Sequence, residues 1–460
     1  MYTAFLKKMK EKICRGKIFW RRWRGYVLEG LEKPGLTFPK RLKIISRMGK
    51  SGLFSPDKRD IYCSMAGKVR QSGVGLVVLL GLILALGILP SCREASGNRL
   101  SWVLQASWTS YREHFISPEG QVVLQERGGG TISEAQAYAL LRALWAGDEE
   151  TFVRLYRWTR QNLSREASHG DSLLAWEWGQ KANGSWGVLD WNTASDADLD
   201  YALALILASR QGWRAPADLP AYMTEARRVA QGLLAKEVVE VPPGELLLAP
   251  GNWHSSSPPY LLNPSYFFPA AYRVLAQVGF GPRWSRLHDD AYPFLQRLTR
   301  SLGEAPGVGL VPDWVQVDAD GQLTPPRERS SHFGWEAVRL PWRVALDRLW
   351  FGDLAAARLC REQFLPFFVK QWQATGKLPA EYRYDGSPLV DFDSPVLYAG
   401  ALAAGLAGGD EKFAWEMTQK ILTFYKEKGN QAYFVSPDNY YANNWAWFGL
   451  ALYAGWVKMY

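Results

Sequence analysis

From residue 101 to the C-terminus, apolar residues recur every three to four positions, and the pattern restarts about twelve times. That spacing is the signature of amphipathic helices, and convincing strand alternation is almost absent. Helices are expected to begin near 101, 132, 149, 195, 220, 264, 283, 332, 353, 393, 410 and 440. Their ends carry the expected residues. Ser133 precedes "EAQAYALLRALWAG" as an N-cap, with Gly147 as terminator. "GDEETFVRLYRWTRQNL" opens with acids that suit the helix dipole, and the segment from Asp410 closes on Lys426, Lys428 and Gly429. Twelve helices make six hairpins, so the expected fold class is all-α, an (α/α)6 barrel. If the helices near 132, 195, 264, 332, 393 and 440 form a parallel inner ring, their first turns share one rim. Glu134, Asp196, Tyr266, Glu336, Asp393 and Tyr441 would then face one cleft.

The net charge of +9 does not belong to this helical body. Residues 1–64 hold 17 Lys/Arg against 5 Asp/Glu, whereas 65–460 hold 37 against 40. A nucleic-acid partner is therefore not expected. "GVGLVVLLGLILALGIL" (73–89) follows Lys68 and Arg70, as the apolar part of an export signal follows its basic part. Residues 65–92 read as a signal peptide or membrane anchor. "LPSC" ends on Cys92, a candidate for lipidation after cleavage, with plain cleavage or an uncleaved anchor as alternatives. Met65 reads as the true start and 1–64 as upstream sequence; the alternative is a basic cytoplasmic tail. The body, 93–460, is expected to be one exported, membrane-anchored and monomeric catalytic domain.

Only Cys360 lies in that body, so no disulfide is expected within it. The five histidines have no metal-ligand spacing, and "RGGG" (127–130) lacks a phosphate-loop lysine, so neither a metal nor a nucleotide cofactor is expected.

The run "ASDADLDYALALILA" (194–208) sets three aspartates at alternate positions against an apolar helix. The plainer reading is structural, with Ser195 or Asp196 capping the helix and Asp198 favouring its positive end. Yet Asp196 and Asp200 are four apart and share a face that the apolar stripe carries toward the core. A buried carboxylate needs a partner or a ligand. Asp196 is the one expected to meet substrate, with Asp198 and Asp200 supporting the helix start and rim.

At this point the chain resembles glycoside hydrolase family 8, a family of inverting endoglucanases, chitosanases and xylanases. The resemblance rests on "TISEAQAYALLRALWAGD" (131–148), "RWTRQNL" (157–163), "LLAWEWG" (173–179), "ASDADLDYALALILASRQGW" (194–213), "NPSYFFPAAYRV" (263–274), "WEAVRLPWRVALDRLW" (335–350), "DSPVLYAGAL" (393–402) and "YYANNWAWFGLALY" (440–453), in order. It covers roughly 101–460 and implies an (α/α)6 barrel, in agreement with the helix count. It implies that Glu134 is the general acid and that Asp196 orients the sugar. Glu336 stands where many members carry the Asp that acts as base, and Ala135 where Gly is usual. An inverting pair should stand about 6.5–9.5 Å apart to admit the attacking water. Trp176, Trp191, Tyr266, Arg339, Trp342 and Asp393 are the expected sugar contacts. Each also has a plainer use: tryptophans as core fillers, Asp393 as a helix cap, and Glu336 as a helical partner of Arg339 or Arg343.

The activity implied is hydrolysis of internal β-1,4 bonds in a polysaccharide. Cellulose made by the cell itself is the preferred substrate, next to a cellulose synthase complex; chitosan, xylan and mixed-linkage glucan stay open. Two rival readings are a catalytically impaired glycan-binding subunit of an export complex, motivated by Glu336 and Ala135, and a polysaccharide lyase on the same toroid.

Overall fold

The computed structural model describes residues 92–460, with side chains from residue 99 onward. The basic leader, the apolar run 73–89 and the Cys92 side chain lie outside the described residues. Twelve helical units build the body, with a single helical turn at Glu166–His169 in one connection: α1 (Cys92–Phe115), α2 (Ser133–Ala146), α3 (Glu149–Asn162), α4 (Ser195–Arg210), α5 (Tyr222–Lys236), α6 (Pro269–Gln277), α7 (Arg283–Leu298), α8 (Leu340–Phe351), α9, α10 (Pro395–Gly408), α11 (Glu411–Leu422) and α12 (Tyr440–Tyr453). Unit α9 runs through Leu354–Leu359, a π turn at Cys360–Phe364 and Leu365–Thr375. Pro366, which has no N–H to donate, follows the π turn and accounts for the irregular ladder there. Among the described residues no helix is long and apolar enough to cross a membrane.

The even-numbered helices close a ring in the order α2, α4, α6, α8, α10, α12 and back to α2. Each odd-numbered helix packs outside, with α3, α5, α7 and α11 on the inner helix before it, α9 against both α8 and α10, and α1 on α12. The result is an (α/α)6 barrel, as the helical periodicity predicts. Inner and outer helices differ in how much water they see. In α4, 14 of 16 residues are buried, so the helix is enclosed on all sides. In α5 the buried positions are Tyr222, Glu225, Ala226, Val229, Ala230, Gly232 and Leu233, a single stripe facing inward. Inner helices also approach one another closely. A Cβ on Gly449 of α12 would lie 2.7 Å from that of Ala399 on α10, so only glycine fits at that contact.

Two differences from the sequence reading concern the rim. Inner helices expected near 264 and 332 begin later, at Pro269 and Leu340, after 3-10 turns at Pro264–Tyr266 and Ala337–Arg339. Proline suits a first helical turn, where its missing N–H leaves no bond unmade; Pro269 and Pro341 set these later starts.

The second difference is that strands exist, although few were expected. They are β1 (Thr131–Ile132), β2 (Glu177–Gln180), β3 (Trp186–Asp190), β4 (Val238–Val241), β5 (Glu245–Leu248), β6 (Tyr260–Leu262), β7 (Ser301–Leu302), β8 (Ala305–Pro306), β9 (Val315–Val317), β10 (Leu323–Thr324), β11 (Tyr425–Lys428) and β12 (Gln431–Phe434). They form five small antiparallel sheets in the connections: β1-β2-β3, β6-β9-β10, and the hairpins β4-β5, β7-β8 and β11-β12. With two to five residues each, they are too short for alternation to stand out in sequence.

Candidate active site

The inner-ring rim is organised around one cation. Arg339 closes the 3-10 turn that leads into α8 and is only 1% exposed. One guanidinium nitrogen donates to Glu134 Oε2 at 2.7 Å, to Asp196 Oδ2 at 3.0 Å and to the Tyr138 hydroxyl at 3.2 Å. The other donates to Ser265 Oγ at 2.9 Å and to Glu336 Oε2. Tyr266 lies against the same guanidinium, its ring centre 5.2 Å away. Four of the six residues expected on the rim, Glu134, Asp196, Tyr266 and Glu336, therefore meet at Arg339.

Each acid has its own environment. Glu134 sits in the first turn of α2, which β1 delivers: Thr131 and Ile132 pair with β2, and Ser133 N–H bonds the Trp176 carbonyl at 2.9 Å. The Tyr440 hydroxyl donates to Glu134 Oε1 at 2.5 Å. Burial raises the Glu134 pKa, against the lowering pull of Arg339 and Tyr440. Asp196 is almost fully enclosed, and both its oxygens are taken, one by Arg339 and one by the Ala197 N–H at 2.9 Å. Burial pushes its pKa up to about 7.

Glu336 is the open member, with about a third of its side chain exposed. Its Oε2 accepts from Arg339 and from Asn263 Nδ2 at 3.0 Å. Its Oε1 makes no hydrogen bond to the described residues. Sequence reading had no signal for what fixes this residue. Asp313 lies more than twenty positions upstream, yet its Oδ1 accepts the N–H groups of Gly334, Glu336 and Ala337 at 3.1, 3.1 and 2.8 Å. Burial raises the Asp313 pKa to about 6. Tyr440, Tyr138, Asn263 and Ser265 were missed for the same reason: their partners are distant in sequence.

The aspartate run resolves into three separate jobs. Asp196 and Asp200, four apart on α4, meet Arg339 and Arg343, four apart at the start of α8. Asp200 takes Arg343 with two bonds of 2.7 Å, both side chains being buried. Because α6 stands between α4 and α8 in the ring, these pairs cross the barrel interior. Asp200 is thus a core partner of Arg343, not a rim residue. Asp198 points elsewhere and accepts the Leu174 N–H at 2.8 Å.

Several expected sugar contacts are placed differently. Trp342 is buried among Trp145, Phe268, Trp445 and Phe448 and donates to the Phe448 carbonyl at 3.2 Å; it is core. Its position inside α8 turns it along the barrel interior, below the rim. Arg339, itself buried, is enclosed by the carboxylates that it bonds, which leaves it little face open to a sugar. Asp393 accepts from the Tyr398 hydroxyl at 2.9 Å and pairs with Lys420 at 3.0 Å, while Ser394 caps α10. Tyr441 bonds the Trp335 carbonyl at 2.5 Å, leaving its neighbour Tyr440 to meet Glu134. Trp176 is half-buried with Arg127 5.5 Å from its ring centre, and Trp191 is exposed. Trp335, also exposed and adjacent to Glu336, is a further surface ring beside the acids. His288, Asp347 and Asp353 cluster tightly enough to suggest a cation site, but Arg273 already fills it, 3.1 Å from Asp347 and 2.6 Å from Asp353.

With the barrel and the acid cluster established, comparison with known proteins is decisive. The family model for glycosyl hydrolases family 8 matches residues 84–437. The chain belongs to glycosyl hydrolases family 8. It is 29% identical over 340 residues to endoglucanase A of Acetivibrio thermocellus, covering 72% of this chain and 66% of that protein. It is 31% identical over 268 residues to an endoglucanase of Escherichia coli K12, covering 58% of this chain and 66% of that protein. The chain thus spans about two thirds of the length of these two curated relatives. Among solved structures, the endo-1,4-D-glucanase of Vibrio fischeri ES114 aligns with a TM-score of 0.62 at 25% identity, over 75% of this chain and 94% of that one. A β-1,3-1,4-glucanase of Paenibacillus sp. X4, at 20% identity and a TM-score of 0.65 over 78% of this chain and 93% of that one, shares the fold. This family 8 protein is a glycoside hydrolase.

Proposed function

We propose that this family 8 hydrolase is an inverting endo-β-1,4-glucanase, with Glu134 as general acid, Glu336 as the base that activates water, and Asp196 as the acid that orients the sugar. The observation that carries this reading is the division of labour around Arg339. A general acid must hold its proton near neutral pH, and burial raises Glu134 in that direction. A base must present a free oxygen to water, and Glu336, about a third exposed, keeps its Oε1 free of hydrogen bonds to the described residues. Asp196 has both oxygens committed to protein donors, which suits holding and not attack. The acid and the base meet different nitrogens of one guanidinium, so Arg339 itself spaces them.

Trp176, Trp191 and Trp335 offer apolar faces on which pyranose rings would stack. β-Glucan is the substrate favoured by the endoglucanase names of the two curated relatives above; chitosan and xylan are the competitors. The impaired-binder reading loses its motive, because Glu336 is held by Arg339 and Asn263, its backbone N–H by Asp313, and Ala135 is buried within an unbroken α2. A lyase would need an unprotonated tyrosine or histidine at the site, and burial holds the Tyr440 and Tyr266 hydroxyls protonated. Export and membrane attachment through 65–92, with Cys92 as the lipidated residue, belong to the same reading. So does work beside a cellulose synthase complex.

The test is reducing-end release by residues 93–460 on carboxymethylcellulose, lichenan, xylan and chitosan, with the anomer of fresh product read by NMR. The expected result is inverted product from a β-glucan and a loss of kcat of about 10²–10⁴ in Glu134→Gln. Retained configuration would overturn the assignment of Glu336, and no release on any polymer would overturn the activity.

A further inference from the structure

The loop that presents Glu336 is held by a second carboxylate, one that takes no part in the acid cluster. Phe333 and Tyr382 exchange both backbone bonds, N–H to carbonyl at 2.9 and 3.0 Å, in an isolated antiparallel bridge. Both side chains are fully buried, Phe333 against Phe368 and Tyr382 against Phe367, so α9 anchors the bridge in the core. Successive side chains of extended backbone point to opposite sides. With Tyr382 turned inward, its neighbour Glu381 is left half-buried on the outer side, where its carbonyl accepts the Leu389 N–H at 3.0 Å.

The antiparallel pairing sets Glu381 opposite Gly334. A Cβ on Gly334 would lie 3.3 Å from Glu381 Oε2 and 2.7 Å from Asp313 Oδ2, so both acids crowd the glycine. Asp313 gives its oxygens to the loop's backbone and to Ser330. Glu381 takes a side chain instead: Trp335 Nε1–H donates to its Oε1 at 2.9 Å. The Trp335 carbonyl accepts the Tyr441 hydroxyl at 2.5 Å, and the two rings meet edge-on, 6.4 Å between centres at 76°. Trp335 nonetheless stays 40% exposed. An exposed indole ordinarily turns about its side-chain bonds, but this one is tied at both its ring nitrogen and its backbone. Such a ring offers an apolar surface and has little freedom left to lose when a ligand stacks on it.

We propose that Glu381 positions Trp335 as a preset stacking ring for a pyranose unit of the glucan, beside Glu336. The proposal rests on the glucanase reading given above. Glu381 bonds the indole and not the reacting acids, so it is a positioning residue that acts through Trp335. Fixing one side chain in advance of binding is worth about two- to tenfold in Kd. Glu336 keeps its own bonds to Arg339 and Asn263 whether or not Glu381 is present, so the effect falls on binding and not on the chemical step.

The test is a double-mutant cycle read by calorimetric titration with cellohexaose, with Glu134→Gln in every variant so that no sugar is consumed. Glu381→Ala should weaken binding about three- to tenfold when Trp335 is present. In the Trp335→Phe background the same change should weaken it less than about twofold, because phenylalanine has no N–H to lose. Trp335→Phe alone should weaken binding at least as much as Glu381→Ala. Glu381→Gln keeps an acceptor oxygen and should stay within about twofold of the parent. With Glu134 intact, Glu381→Ala should raise KM by the factor seen in Kd and leave kcat within about twofold.

An unchanged Kd in Glu381→Ala would overturn the proposal. So would an equal factor in both backgrounds, since general loosening of the loop acts whichever ring follows, or a glutamine variant as weak as the alanine one. If the wild type cleaves no glucan while the cycle behaves as expected, the glucanase reading fails and the preset ring stands. If cellohexaose is not bound at all, both fall.

Discussion

Replacing Arg339 with methionine is the most demanding perturbation of the site. Methionine fills much of the volume but removes the donors that hold Glu134, Asp196 and Glu336 together. Removing one partner of a buried ion pair costs about 3–5 kcal/mol, because the charge left behind has no compensation. For a domain of this length, where unfolding entropy grows with chain length, that corresponds to a fall in Tm of about 4–8 °C at neutral pH.

The loss should itself depend on pH. Arg339 lowers the pKa of both Glu134 and Asp196. Without it both rise further, and the variant loses stability as pH climbs from the unfolded carboxylate range through those higher values. The Tm gap between wild type and Arg339→Met should therefore be smaller at pH 5 than at pH 8. Differential scanning calorimetry across that range reads the gap, and kcat measured at each pH should be down by about 10³ or more, since no acid stays in place. A gap that is flat with pH would refute the reasoning, because it would mean that the carboxylates do not depend on this cation.

Two further outcomes follow from the same geometry. As the proposed general acid Glu134 must be protonated to act, so activity should fall as pH rises through its raised pKa. The Tyr440 hydroxyl favours the ionised form, so Tyr440→Phe should move that alkaline limb of the kcat profile to higher pH. Trp342→Ala should cost about 3–5 kcal/mol in chemical denaturation with KM unchanged within about twofold, whereas Trp191→Ala, at an exposed ring, should leave stability nearly intact and raise KM several-fold.

Some of this was legible because it is local. The three-to-four-residue periodicity, the caps and the terminal glycines locate twelve helices, and the alternation of enclosed and one-sided helices follows from how apolar each is around its circumference. The acids in the first turns of α2 and α4 were visible, as was the shared face of Asp196 and Asp200, because helical geometry places residues four apart together whatever the surroundings.

Local residue patterns thus specify the set of helices and the acids at their starts. What each acid contacts was decided by tertiary structure alone. Arg339 reads in sequence as a surface partner or sugar contact. Only closure of the ring buries it, and burial is what turns one arginine into the common partner of three carboxylates separated by up to about two hundred residues. The same closure puts Asp200 on Arg343, hides Trp342 in the core, and brings Asp313 under Glu336. Burial and pairing across elements depend on distances between segments remote in the chain, and no local pattern of residues encodes those distances.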